Sequence, residues 1–156
     1  MALPGNAILT DFDNVDDLSD GELRLTLIEQ YAGDPMKVWV PAYRFAMSVG
    51  DQNVGRIELR LGTTDFMVRF GGQVGYSVAQ GYRGHRYAAR SLRLLVPLAR
   101  RHGFSALWIT CDPQNLASRR SCEIAGAQFV EIVDLPEDCD MYRRGDRQKC
   151  RYRLDC

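Results

Sequence analysis

The sequence carries no net charge, with 20 Lys and Arg against 20 Asp and Glu. Broad phosphate binding needs a basic excess or a basic face, so nucleic acid is not expected as the main partner. No CxxC pair occurs among the cysteines, which are Cys111, Cys122, Cys139, Cys150 and Cys156. That excludes a zinc ribbon and a thioredoxin-like motif, and no metal site is expected. No apolar stretch approaches the length of a membrane span, so no membrane partner is expected either. The first residues, Met-Ala-Leu-Pro-Gly-Asn, lack the basic start and apolar run of a signal peptide. Together with an odd cysteine count, this sets the expectation of a reducing cytoplasm. Repeats, linkers and low-complexity tracts are also missing. What is left is ordinary for a globular chain: 156 residues, 46% hydrophobic and 26% charged. That length suits one domain over residues 1–156, with a core that needs no disulfide.

The balanced charge is unevenly placed. Acidic residues dominate the first 35 positions, and Arg is dense between Arg83 and Arg120. The basic stretch points to a local site for an anionic ligand. Ile8 and Leu9 open a first short strand. Asp20 suits an N-cap, and Leu23, Leu27 and Ile28 recur at helical spacing, so a helix is predicted over Gly21–Tyr31 with Gly33 as its stop. Val38–Val49 reads as a strand. Val54–Leu61 alternates Ile57, Leu59 and Leu61 with Arg56, Glu58 and Arg60, and the two make a hairpin across Gly50–Asn53. Gly62–Gly72 is a loop, and Gln73–Ala79 is a further strand.

From Gly84 to His102 the pattern is helical, with Ala88, Leu92, Leu95 and Ala99 on one face. Pro97 predicts a kink near Arg93–Leu95. Ala106–Cys111 is a continuous apolar run, as in a central strand covered on both faces. A second helix is predicted over Asn115–Ala125, then strands over Phe129–Val133 and Lys149–Leu154, with a loop at Leu135–Asp146. The order predicts an α/β chain with a mixed sheet that contains a parallel βαβ unit.

The stretch that carries chemistry runs Gly75-Tyr-Ser-Val-Ala-Gln-Gly-Tyr-Arg-Gly-His-Arg-Tyr-Ala-Ala89. A strand enters a turn rich in Gly and Arg, and the turn opens a long helix. The first turn of a helix leaves N–H groups unpaired and carries positive potential, so it suits phosphate. Arg83, His85 and Arg86 add charge there. A solvated basic cap on an ordinary strand–turn–helix has the same residues. Neither GxxxxGK[ST] nor GxGxxG is present.

Arg83-Gly-His-Arg-Tyr-Ala88 resembles the pyrophosphate loop of GNAT acyltransferases, whose pattern is Gln/Arg-x-x-Gly-x-Gly/Ala. Arg86 departs from it, standing where the family usually has Gly. Ile109-Thr-Cys-Asp-Pro-Gln-Asn115, followed by Ser118 and Gly126, resembles the fifth strand and next helix of that fold. Gly71–Val78 looks like the fourth strand of a bacterial subgroup of acetyltransferases. The likeness covers about Val54–Val133.

The resemblance implies a central, mostly antiparallel sheet whose fourth and fifth strands splay apart. It implies acetyl-CoA as co-substrate, with pantetheine added along Ser77, Val78 and Ala79. Pyrophosphate would rest on N–H groups of Gly84, His85, Arg86, Tyr87 and Ala88, with Arg83, Asn115 and Ser118 completing the cofactor site. An amine on a small molecule or peptide would attack the thioester directly, in a chain acting alone or as a homodimer. A module that binds acyl-CoA without turnover keeps the same fold.

Glu58 is a candidate general base, although its position also suits a solvated carboxylate. Tyr76 is a candidate for the acceptor pocket or for packing. Many members carry a Tyr acid where Cys122 stands, and a packing thiol is expected here. Asp16, Asp17, Glu22, Asp65, Glu137, Asp138 and Asp140 suggest an acidic rim that would suit a cationic amine.

Overall fold

The computed structural model describes residues 18–37 and 39–156; the strand predicted at Ile8 and Leu9 lies outside them. The chain opens on a short strand, β1 (Leu18–Ser19), and a nine-residue strand, β2 (Leu23–Tyr31). The predicted helix at Gly21–Tyr31 is therefore a strand. Leu23 and Leu25 are buried while Arg24 and Thr26 face water, which is period two, and it outweighs the i, i+4 spacing of Leu23 and Leu27. Asp20 does cap, but it caps a turn: its Oδ1 accepts from the N–H groups of Glu22 (3.1 Å) and Leu23 (2.8 Å).

β3 (Ala42–Val49), β4 (Gln52–Arg60) and β5 (Val74–Val78) complete a five-stranded antiparallel sheet in the order β1-β2-β3-β4-β5. The predicted hairpin is β3–β4. Its register slips between Met47 and Ser48, beside Gly55. A Cβ on Gly55 would stand 2.3 Å from the Ser77 carbonyl oxygen, so glycine is what lets β5 lie against β4 here. Gly62–Gly72, predicted as a loop, includes a helical turn over residues 65–71.

α1 (Tyr87–Arg101) packs on this sheet and runs through Pro97 to its end. Its predicted face, Ala88, Leu92, Leu95 and Ala99, is buried. Each fully buried Leu contributes about 1.5–3 kcal/mol. Arg90 on α1 reaches back to Asp20 at 2.7 and 3.0 Å and to Glu22 at 2.9 Å. That ties the helix to the β1–β2 turn.

β6 (Ala106–Cys111) begins a second sheet, ordered β6-β8-β7, with α2 (Leu116–Ala125) between β6 and β7 (Gln128–Asp134) in the chain. A short helix, α3 (Asp140–Arg143), interrupts the predicted Leu135–Asp146 loop, and β8 (Gln148–Asp155) closes the chain. The run β5–α1–β6 has the strand–helix–strand form, yet every ladder among the described residues is antiparallel. β5 and β6, the fourth and fifth strands of the family pattern, are edges of different sheets. β6 is accordingly an edge strand with alternating burial and not a central one covered on both faces.

Buried Gln73 stands where the two sheets meet. Its N–H donates to the Trp108 carbonyl (2.7 Å), its Oε1 accepts from the Trp108 N–H (2.8 Å), and its Nε2 donates to the Gly62 carbonyl (2.9 Å). One side-chain amide thus satisfies backbone groups where the ladder ends. Beyond it the strands part.

Candidate active site

The parting of β5 and β6 opens a cleft of about 490 Å³. Of the residues singled out from sequence, Tyr76, Ser77, Val78, Arg83, Gly84, Arg86, Tyr87, Ala88, Asn115 and Ser118 line it. Ala79 and His85 do not. The Ala79 N–H is taken by the Val54 carbonyl (2.9 Å), and the exposed His85 ring stacks on Tyr87 with centroids 5.2 Å apart. Five lining residues were not anticipated: Tyr82, Ala117, Arg120, Ser121 and Ile124. Four of them sit on α2 at positions three or four apart, so they share one helix face. That spacing was the readable signal.

The α1 N-terminus opens onto this cleft. Its first turn carries no acidic residue, and no side chain caps it. Those N–H groups therefore remain available to an anion. The residue at the N-cap is Arg86, and its φ of 62° lies in the left-handed region. It is the one non-glycine with positive φ among the described residues. A helical first turn would have negative φ, so Arg86 stands outside the helix proper. The positive φ explains in conformational terms why the family pattern has Gly there.

Arg83 folds onto the strand edge, where its Nε donates to the Val78 carbonyl at 3.2 Å. Asn115 caps α2 by accepting from the Ser118 N–H at 3.1 Å. The Tyr76 hydroxyl lies 2.7 Å from Ser118 Oγ and 3.7 Å from Cys122 Sγ. Burial pushes the Tyr76 phenol well above its ordinary range. Burial likewise pushes the Cys122 thiol up to about 12, and the residue has no exposed surface. Cys122 is packed in the buried core.

On the far side of β5 lies a cleft of about 650 Å³, which shares Tyr76 and Ser77 with the first. A third, of about 740 Å³, shares Arg44, Glu58 and Arg60 with the second. Glu58 lies where these two meet. Its Oε1 accepts from Arg44 Nε (3.1 Å) and its Oε2 from Arg60 Nη2 (3.5 Å). Trp39 is 54% exposed on the third cleft's wall.

Among the described residues, the acidic rim expected from sequence does not form at these clefts. Asp16 and Asp17 lie outside the described residues, and Glu22, Asp65, Glu137, Asp138 and Asp140 line none of the three clefts. Glu22 pairs with Arg90 and Asp140 with Arg143. No group of three or more His, Cys, Asp or Glu among the described residues could hold a metal ion. No described helix is long and apolar enough to cross a membrane.

The family model for the acetyltransferase (GNAT) domain matches residues 14–128. None of the curated proteins matches the sequence. Among solved structures, RimL, a ribosomal L7/L12 alpha-N-protein acetyltransferase in complex with coenzyme A, gives a TM-score of 0.65 at 13% identity over 90% of this chain and 98% of its own. An acetyltransferase from Salmonella typhimurium that modifies the N-terminal serine of ribosomal protein L7/L12 gives 0.57 at 16% identity, over 74% of this chain and 64% of its own. The microcin C7 self-immunity acetyltransferase MccE, in complex with acetyl-CoA and AMP, gives 0.57 at 11%, over 74% and 61%. At these identities the likeness is one of fold.

Proposed function

The chain belongs to the GNAT acetyltransferase family, and from that premise we propose that it moves the acetyl group of acetyl-CoA to a primary amine by direct attack. One observation carries the reading. The uncapped α1 N-terminus, with Arg83, Arg86 and Arg120 around it, and the free edge of β5 line a single cleft. A phosphate-bearing arm that also needs backbone partners fits that pairing. Arg83, Gly84, Arg86, Tyr87 and Ala88 would hold the phosphates. Ser77 and Val78 would offer the strand edge, and Asn115 and Ser118 would close the α2 side.

The bound thioester supplies an activated acetyl carbon. The amine nitrogen bonds to that carbon, sulfur leaves with the C–S electron pair, and the nitrogen sheds its surplus proton. Tyr76 and Ser77 line both the donor cleft and the cleft beyond it, so the two reactants would meet beside them. We assign Glu58 to accept the amine proton, directly or through water. A carboxylate offers about four acceptor sites, so the guanidiniums of Arg44 and Arg60 leave room. The solved neighbours that act on a protein N-terminus support a peptide α-amine as acceptor. Five free cysteines, four of them buried, support work in a reducing cytoplasm.

The test is calorimetry with CoA on the wild type and on Arg83→Glu/Arg86→Glu, with thiol release from acetyl-CoA measured on an amine panel. Both reversals place like charge at the phosphates, and at least about a tenfold loss of CoA affinity is expected. A double variant that binds CoA as the wild type does would sink the site assignment.

A further inference from the structure

The clefts on the acceptor side of β5 carry an unexpected charge. Lys37, Arg44, Arg60 and Arg144 line the third cleft against a single carboxylate, Glu58. That carboxylate is already engaged by two of them. The other nearby carboxylate, Glu29 in the second cleft, accepts from Arg44 Nη1 at 2.7 Å. Among the described residues, Lys37 and Arg144 pair with no carboxylate; nor does Arg56 in the second cleft. The surplus is thus cationic and concave, and a cleft lined by one sign of charge concentrates ligands of the other. A polyamine, which brings no carboxylates of its own, would meet this surplus of like charge.

The walls are also aromatic. Lys37 lies 4.7 Å from the Trp39 ring centroid and Arg44 4.7 Å from that of Tyr31. These are cation–π distances that hold the charged groups against flat apolar surfaces. Exposed apolar side chains continue outward, with Trp39 at 54%, Phe66 at 46% and Met36 at 92% exposure. Trp39 and Phe66 both line the third cleft, and exposed apolar side chains there suit a ligand chain of several residues.

We propose that the acceptor is an acidic peptide segment, with a free amine at its N-terminus, an apolar side chain next to it and carboxylates following. The amine would reach Glu58, the apolar side chain would lie on Trp39 and Phe66, and the carboxylates would pair with Lys37 and Arg144. This rests on the reading of the chain as an amine acetyltransferase and names what that site selects.

Three C-terminally amidated peptides test it: Ser-Leu-Glu-Glu-Glu, Ser-Leu-Gln-Gln-Gln and Ser-Leu-Lys-Lys-Lys. Binding to the full chain loaded with CoA is measured by calorimetry, and turnover by thiol release from acetyl-CoA. The Glu peptide should bind at least about tenfold tighter than the Gln peptide, with the Lys peptide weakest. The advantage should shrink between about 0.05 and 0.5 M salt. In Lys37→Glu/Arg144→Glu the Glu-over-Gln preference should fall below about threefold. Both residues are exposed, and CoA binding checks that the variant is folded.

Equal affinity for the three peptides, a preference for Lys, or binding of none of them overturns the proposal. If the Glu peptide binds with the stated preference but no thiol is released from any peptide, the selectivity stands and the transferase reading fails. If the Gln peptide turns over and the Glu peptide has no advantage, the transferase reading stands and the selectivity fails.

Discussion

Arg86→Gly should make the protein more stable, although it removes a side chain from the binding cleft. Arg86 holds φ at 62°. A Cβ in that left-handed region costs about 1–2 kcal/mol, through its approach to the following carbonyl oxygen. Glycine removes that cost but frees the unfolded chain, which returns about 0.5–1 kcal/mol. Arg86 is exposed, so little buried area is lost with it. The middle of each range leaves a net gain of about 0.75 kcal/mol. For a chain of this size each kcal/mol moves Tm by about 2–4 °C, so a rise of about 1.5–3 °C is expected. Arg86→Ala is the companion. It deletes the same guanidinium but keeps the Cβ, so the strain stays and Tm should barely move.

CoA affinity should respond in the opposite pattern. Both variants lose one exposed cation at the phosphates, worth about 0.2–1 kcal/mol. Kd should rise by about 1.4- to 5-fold in each. Scanning fluorimetry without ligand reads the first effect, and calorimetry with CoA reads the second. If Arg86→Gly melts at or below Arg86→Ala, the strain argument is refuted. If Arg86→Ala abolishes CoA binding, the guanidinium is more than one of several positive groups at the cleft.

Hydrogen bonds from Arg90 hold the Asp20 carboxyl at about 2, against an ordinary 3.8. A depressed carboxyl stabilises the fold fully above its unfolded value and loses that contribution as pH falls through its folded value. The stability gap between wild type and Asp20→Asn should therefore be constant above about pH 4 and close toward pH 2; a gap that persists at pH 2 in thermal unfolding would refute it. The Cys122 thiol, pushed to about 12 by burial, is poorly matched to protonate a leaving thiolate with an ordinary pKa near 8.5. Cys122→Ala should keep most of kcat and cost about 1 kcal/mol of stability. A loss of 10²-fold or more, the scale on which a general acid is missed, with CoA affinity intact, would make the thiol catalytic.

Much of the fold was legible because its elements are long and strongly patterned. The stripe Ala88, Leu92, Leu95 and Ala99 has one reading at a period of 3.6, and all four residues are buried. Asn115 and Gly126 bracket α2 as N-cap and left-handed C-cap. β2 was misread because Leu23, Leu25 and Leu27 fit period two while Leu23 and Leu27 also fit period four. A bulge compounds this. Between Leu27 and Glu29 the register to β3 shifts, and Ile28 drops out of the ladder with 62% exposure. An apolar residue that breaks the alternation looks, in sequence, like support for a helix. Which strands form the last sheet, ordered β6-β8-β7, depends on partners far apart in the chain, and no local pattern encodes that.

The cleft proposed for the donor was legible for a different reason: most of its lining residues are close together in the chain. Ser77 to Ala88 spans one strand end, one turn and one helix start, and a phosphate cradle of this kind is a local object. The α2 face that supplies Arg120, Ser121 and Ile124 arrives only through tertiary packing. The acceptor side is assembled entirely that way. Lys37, Arg44, the β4 pair Glu58 and Arg60, and Arg144 come from four separate places in the chain. Counting acids by loop does not give the sign of that surface, because the described acids it counts line neither cleft, and Glu22 and Asp140 are paired with Arg90 and Arg143. Lys37 and Arg144, which have no such partner among the described residues, set the sign instead. The charge that a substrate meets is what remains after the fold has paired its own ions, and pairing is decided by register and packing.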